Sequence, residues 1–561
     1  MPLDNVELGT LPSFVERTSY SPTLNDDKLP DNFPIEQWNT QSARYKDNWK
    51  WYSGDALSVT RKNVREEYES QYPLHINSLR AIVEKHAAVL FGEVPDSPAP
   101  LVKTVVRPKK RFDGKEVKED TKNLALICEN VINEVWTRSG GRAMQLENGM
   151  YSQFLGGSVF QITYQPRRVD LTIPLVISNP RPDHFLPEWS NEDYWSLLRG
   201  TTMYEIPAPT AKLQYGIGDG QPGQTAVYIR TETATELSET VEGQTIDFAG
   251  KTTDQKSATH KFGFVPAVYI PHKRVGSKYG VGHVEDVAAL LKEFNAVFAA
   301  LDTAALNTVD RETFVSNVPG TTLSKLTSPV TGKEFTSLGT TPPASGSKDA
   351  PKAWQEDAPV VSPSMAETGD RVWRQILRDT NLSGIPFGED EGSQRSGQTL
   401  ALRMWPILSH TRGERTHWND GLTRIGWYIL KMVKQIMKDN AALAATLRAL
   451  GIDIPDDFES LLDISTEWSP QIPQDRAQLV LETTQLVQTN VRSKREAIGK
   501  LGDVRDLEAE LNELKEEAKQ AAELAAQQKP PPFGGDKPSK PNGTLSNESA
   551  ASANGSKVSV E

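Results

Sequence analysis

Phosphate cradling, metal ligation and nucleophilic attack each need particular residues at particular spacings, and this 561-residue chain approaches each without completing it. The run Thr245-Ile246-Asp247-Phe248-Ala249-Gly250-Lys251-Thr252 nearly spells a phosphate-binding loop, in which glycines let backbone amides close on phosphate oxygens and a lysine reaches the outer ones. Thr245 stands where the first glycine belongs, and Gly243 comes two positions early. The polar stretch that follows lacks the helix whose N-terminus would finish the cradle. The eight histidines (His75, His86, His184, His260, His272, His283, His410 and His417) make no His-Glu-x-x-His motif and are expected to form no metal-ligand cluster. His410 and His417 share a helix face seven residues apart, a pattern of surface or interface packing. Cys128 is the one cysteine, which excludes an intrachain disulfide and a cysteine-rich zinc site. It lies in an apolar helical run and reads as a packed thiol. No Gly-x-Ser-x-Gly elbow occurs, and Ser396-Gly397 sits in a polar loop. The expectation is a protein without catalytic residues, metal or cofactor.

Composition bounds the rest. With 37% hydrophobic and 24% charged residues the chain can build three or four domains with ample core. It has no run of eighteen apolar residues, and Met1-Pro2-Leu3-Asp4 lacks the character of a signal peptide, so neither secretion nor a membrane span is expected. A net charge of -12 argues against tight nucleic-acid gripping, which needs clustered Lys and Arg. An acidic or mixed wall is compatible with nucleic acid that must slide.

The elements that would position any function are clearest from residue 281 onward. Val287, Leu291, Phe294, Phe298, Leu301 and Ala305 recur at helical spacing, while Glu285, Lys292, Glu293, Asp302 and Asn307 fall mostly on the other side. A helix over 284–310 would span on the order of 40 Å at about 1.5 Å per residue. Residues 311–359 then lose the period and collect prolines and glycines, with Phe314-Val315 and Phe335-Thr336-Ser337-Leu338 as candidate short strands. A return helix follows, capped either by Ser364 with Glu367 or by Ser362 with Pro363 as first helical residue. Its apolar stripe is Val372, Trp373, Ile376 and Leu377, with Asp370, Arg371, Arg374, Arg378 and Asp379 exposed. The loop after it carries Phe387, Glu389, Asp390, Glu391, Gln394 and Arg395 among three glycines. Helical spacing resumes over 400–438, with a kink expected at Pro406 because proline lacks the amide donor.

Upstream, residues 1–32 read as a flexible arm. A helix over 35–51 carries Trp38, Tyr45, Trp49, Trp51 and Tyr52, aromatics suited to packing or subunit contacts because only Lys46 and Lys50 interleave with them. Two helices flank Gly140-Gly141, and strands are expected over 158–164, 171–177, 226–230 and 264–270. This part is α+β. Leu507, Leu511, Leu514, Ala518, Ala521 and Ala525 have a coiled-coil seam spacing, equally suited to a helix packed on its neighbours or a bundle about a ring axis. Residues after 527 are too polar and Pro-rich to support a core.

Four runs carry a family resemblance. Ser396-Gly397-Gln398-Thr399-Leu400-Ala401-Leu402-Arg403-Met404-Trp405-Pro406-Ile407-Leu408 is similar to the S-G-x-A-L-x-x-R-x-x-P-L signature of tailed-bacteriophage portal proteins, with Thr399 in place of a small residue. Asn77, an apolar helix and then Leu90-Phe91-Gly92-Glu93-Val94-Pro95 resemble a second portal pattern. Tyr269-Ile270-Pro271-His272, Tyr279-Gly280, Glu285-Asp286 and Glu293-Phe294-Asn295 resemble the entry to the portal stem helix. Trp468-Ser469-Pro470-Gln471-Ile472-Pro473-Gln474-Asp475, with the helical segments after it, resembles the portal C-terminal region.

The resemblance implies an α+β, multidomain portal-type subunit with a wing over 33–280, stem helix over 281–310, clip over 311–359, return stem helix over 360–383 and channel loop over 384–397. A kinked wing helix and following segment over 398–467, a helical crown over 468–527 and a tail over 528–561 complete it. It also implies a ring, dodecameric in the family, at one capsid vertex of the virion. Double-stranded DNA would be packaged and ejected through its channel, and assembly would take place in the host cytoplasm. The implied partners are the packaging terminase, the head-completion adaptor, and the major capsid and scaffolding proteins. Phe387, Glu389, Asp390, Glu391, Gln394 and Arg395 become channel-loop candidates, and Lys292, Arg371, Arg374 and Arg378 stem-face candidates. The alternatives are a terminase-like packaging enzyme and a phage head or tail protein without a DNA channel.

Overall fold

The computed structural model describes residues 33–57, 76–92, 100–109, 118–166, 171–193, 195–246, 257–309, 313–316, 336–337, 352–355, 363–388, 402–469, 471, 476–489, 491, 493–494, 497–498, 511 and 513–520. The chain falls into two compact units, Met1–Pro473 and Gln474–Glu561.

In the first unit the helices are α1 (Ile35–Ser53), α2 (Ser78–Phe91), α3 (Glu119–Arg138), α4 (Gly141–Leu155), α5 (Ala208–Tyr215), α6 (His283–Val309), α7 (Pro363–Asp379), α8 (Trp405–Asp439), α9 (Ala441–Ala449) and α10 (Phe458–Leu461). Strand β1 (Val102–Pro108) pairs antiparallel with β14 (Leu462–Trp468), Val102 opposite Trp468 and Pro108 opposite Leu462. Strand β2 (Gly157–Tyr164) lies between β10 (Ala267–Pro271) and β3 (Leu175–Ser178), both antiparallel to it. An antiparallel meander runs β4 (Phe185–Trp189), β5 (Leu197–Pro207), β6 (Thr225–Thr233), β7 (Glu236–Val241) and β8 (Gln244–Thr245), and β9 (Ala258–Thr259) pairs with β7.

The sequence places β2 and β10 at the centre. Phe160, Ile162, Val268 and Ile270 face a large core built with α3, α8, β1 and β14, while Val159, Ala267 and Tyr269 face a second core against β4, β5, β6 and Trp38. Burial on both faces explains why β10 is apolar throughout rather than alternating, while β2 buries Ser158 and Gln161 among its apolar residues. Two glycines let the layers close. A Cβ on Gly421 of α8 would stand 2.5 Å from Ile270, and one on Gly149 of α4 2.4 Å from the ring of Phe91. A third core joins α1, α2 and α4 to α6 and α7 through Trp49, Trp51, Leu79, Phe154, Val287, Leu291, Ile376 and Leu377.

Between α6 and α7 a small sheet has β11 (Thr313–Ser316) in the centre, parallel to β12 (Thr336–Ser337) and antiparallel to β13 (Lys352–Gln355). Both expected apolar islands of this excursion form strands, and β13 is an addition. The α6 helix runs 27 residues, close to the expected span. Helix α7 starts at Pro363, which agrees with the second capping alternative. Of the α1 aromatics, Trp38, Tyr45, Trp49 and Trp51 are buried and Tyr52 is half-buried, as packing residues should be. The expected interruption at Pro406 appears just before it: Leu402 and Arg403 are helical, Met404 is a turn, and α8 begins at Trp405 with Pro406 in its first turn. The first-turn amides have no intrahelical partner to lose, so proline is at home in that position.

The second unit contains α11 (Arg476–Gln488) and a helical stretch over 513–520. Leu511, Leu514 and Ala518 of the seam pattern are among the described residues, whereas Leu507, Ala521 and Ala525 lie outside them.

Candidate functional site

Helices α6 and α7 form a pair held by aromatic contacts. Phe294 lies 4.6 Å from Phe298 and 5.7 Å from Trp373 between ring centroids, and Trp373 meets Phe387 edge-on at 5.4 Å. Phe387, a loop candidate, therefore folds back onto the helix pair. Glu389, Asp390, Glu391, Gln394 and Arg395 lie outside the described residues. Arg371, Arg374 and Arg378 are exposed along one face of α7, at steps of three and four residues. None forms an ion pair among the described residues. Lys292 is also exposed, and its ammonium sits 5.4 Å from the ring centroid of Trp51, within cation–π range.

The root of α6 explains several motif residues. Glu285 reaches back to accept the amide of Gly282 at 3.0 Å, satisfying one orphan donor of the helix start, and also accepts from Arg44 at 2.8 Å and Asn48 at 3.1 Å. Arg44 donates to the carbonyl of Gly280 as well. Gly280 has φ +76°, and a Cβ there would stand 2.2 Å from the Gly156 carbonyl oxygen, so only glycine fits. One turn beyond Leu291, Asn295 is buried. It accepts the Ile76 amide at 2.7 Å and donates to the Leu291 carbonyl at 2.9 Å. Asn77 in turn caps α2 by accepting the Arg80 amide and donates to the Tyr52 carbonyl.

Arg415 of α8 ties two other motif runs together. Its guanidinium donates to the Leu90 carbonyl at 2.9 and 2.7 Å and to the Ser469 carbonyl at 3.3 Å, and lies over the Trp468 ring at 4.5 Å. Burial, then neighbouring Arg412, pulls the Arg415 guanidinium down to about 10. The end of α2 and the stretch after β14 are thus fastened through one side chain.

The four histidines His86, His272, His283 and His410 meet beside this root, with Glu414 one turn beyond His410. The reading of the histidines as unclustered is corrected here, because elements distant in sequence bring them together. The His86 and His283 rings lie 4.2 Å apart, and His410 is 5.4 and 5.5 Å from them; His272 is 5.1 Å from His283. His86, His272, His283 and Glu414 are each no more than 3% exposed. Glu414 contacts Nδ1 of His272 and accepts from Gln153 Nε2 at 3.0 Å. Burial pushes His86 down to about 3, and His283 well below its usual range with further repulsion from its histidine neighbours. Burial would raise Glu414, but attraction and a hydrogen bond from His272, with His410 next, hold it below the usual range.

Other chemistry is scarce. Burial raises the Cys128 thiol to about 12, which leaves it inert. The near-phosphate loop starts in edge strand β8, and residues 247–256 lie outside the described ones. Arg230 is buried beneath Glu232 and Glu239, and Gln161 donates to Glu232 at 2.8 Å; this network ties β6 to β2 and β7. Among the described residues no helix is long and apolar enough to cross a membrane.

Sequence reasoning missed Arg415 and the histidine cluster. The His410–Glu414 spacing of four residues was the one local signal, since it puts both on one helix face. No curated protein matches the chain. Residues 105–524, about three-quarters of the length, match the family described as phage portal protein, SPP1 Gp6-like. That family is structural and non-enzymatic, and its members are capsid-associated oligomers of the virion's portal vertex. With a helix pair bridged by a small sheet, and with the motif residues seated around its root, the chain belongs to the SPP1 Gp6-like phage portal proteins.

Proposed function

We propose that the chain is one subunit of a closed ring, twelve-fold by analogy with its family, whose axial channel passes double-stranded DNA during packaging and ejection. The observation that carries this reading is the α6–α7 pair. It is rooted by Glu285, Asn295 and the Phe294–Trp373 contact, and it presents Arg371, Arg374 and Arg378 outward. Guanidinium groups on a rigid rod contact phosphates without reading sequence, as a conduit for any DNA requires. The acidic run Glu389-Asp390-Glu391 would repel phosphates at the loop and keep the duplex sliding.

Ring formation also accounts for surface features of the single chain. Leu402 and Trp405, at the approach to α8, are 73% and 53% exposed. A neighbouring subunit would cover them. The sheet of β11, β12 and β13 would form the clip that meets terminase and the head-completion adaptor, and the wing would meet capsid and scaffold.

Rotationally averaged end-on electron micrographs of the purified chain test the proposal. Rings with an axial channel wide enough for duplex DNA are expected, whereas a persistent monomer or a ring without a channel would rule it out.

A further inference from the structure

We propose that His86, His283 and His410, with His272 held on Glu414 beside them, form a site for one divalent transition-metal ion of the zinc class. The geometry comes first. One ligand atom from each of His86, His283 and His410 lies within 4.8 Å of the others, and the same holds for His272, His410 and Glu414. Zinc–nitrogen bonds of about 2.0–2.1 Å in a tetrahedron separate ligand nitrogens by roughly 3.4 Å, so small side-chain rotations would close the set.

Hydrogen bonding gives the second reason. Neither ring nitrogen of His86 or His283 has a hydrogen-bond partner within normal geometry, and Nε2 of His410 has none, although all five atoms are closed to solvent. An orphaned buried polar atom carries the cost of its lost hydration with nothing to offset it. A cation accepts the lone pairs of several neutral imidazoles at once, and burial keeps these imidazoles neutral.

The surroundings complete a metal site. Glu414 on Nδ1 of His272 leaves the other nitrogen of that ring for the ion, the arrangement that orients ligating histidines elsewhere, and Gln153 fixes the carboxylate in turn. Glu414 also supplies negative charge against a dication. Lys273, the nearest competing cation, is paired with Asp286 at 3.5 Å. His410, whose side chain is 15% exposed, marks the entry edge. The ligands come from α2, the residue after β10, the first residue of α6, and α8, so one ion would clamp the stem root to the wing.

The test uses the full chain, stripped with a chelator and titrated with Co2+ and then Zn2+. About one equivalent of Co2+ should bind with the visible absorption of a tetrahedral site, Zn2+ should displace it, and Zn2+ should raise the Tm. Glu414→Gln should weaken binding by about 10–100-fold, the usual loss when a ligand's hydrogen-bond partner is removed. His410→Ala, at the rim where folding is least at risk, should abolish the absorption. His417→Ala, on the same helix but facing Trp195, should bind like the parent. A folded parent chain that gives neither the absorption nor a zinc-dependent Tm overturns the proposal. Undiminished binding by a folded His410→Ala or His283→Ala does so too.

Discussion

From Trp418 to Met437 the buried stripe of α8 is apolar: Leu422, Ile425, Ile429, Val433 and Ile436 are buried, and polar contacts such as Asn419 with Trp468 and Lys431 with Glu459 lie on its flanks. One turn earlier the same stripe buries Thr411 and Glu414, and Arg415 spans two carbonyls. The two halves of one helix therefore solve the burial problem differently. Apolar contact is non-directional, so the buried stripe of the C-terminal half needs only shape and volume, and Gly421 and Gly426 supply shape by letting Ile270 and Ile464 approach. The N-terminal half depends on directional partners, each of which must be in place. The portal motifs cluster at the directional end, where a substitution leaves a named partner stranded.

The contrast can be broken or sharpened by mutation. Trp418, fully buried against Phe91 and Phe160, should show the largest effect: Trp418→Ala should lose about 3–5 kcal/mol in urea unfolding. Glu414→Gln in metal-free protein keeps the volume but removes the charge facing His272, and a loss of about 1–3 kcal/mol is expected. If Glu414→Gln cost more than Trp418→Ala, the polar end would be the stronger anchor and the comparison would invert. The smallest effect belongs outside both halves. Replacing Arg371, Arg374 and Arg378 by Ser should change stability by no more than about 0.5 kcal/mol each while lowering DNA packaging in reconstituted particles. Normal packaging by the triple variant would remove these side chains from any role at the channel.

Periodic elements were legible in the chain. The stripe of α6, the return helix from Pro363, and the islands at Phe314 and Thr336 all appear where local pattern puts them, because each depends on residues a few positions apart. Pro406 marks the interruption that a proline predicts, with Met404 a turn between helical Leu402-Arg403 and α8, but the residue at which the helix restarts is not fixed by local pattern. Strands β1 and β14 escaped because each finds its partner at the far end of the first unit. The histidine cluster was hidden for the same reason. His86, His272, His283 and His410 have no common spacing, and only the meeting of four elements makes them neighbours.

The pairing of β1 with β14 sets a schedule for the molecule. Val102 cannot find Trp468 until almost the whole first unit has left the ribosome, so the large core behind this ribbon, with Ile464 and Leu462 packed on α3 and α8, closes late. Closure of this core therefore waits on the last strand, and a nascent subunit has no finished body to offer a neighbour. A truncated chain that lacks residues 462–468 leaves Val102 and Val106 uncovered, and it should be excluded from the oligomer before it can be incorporated beside intact subunits.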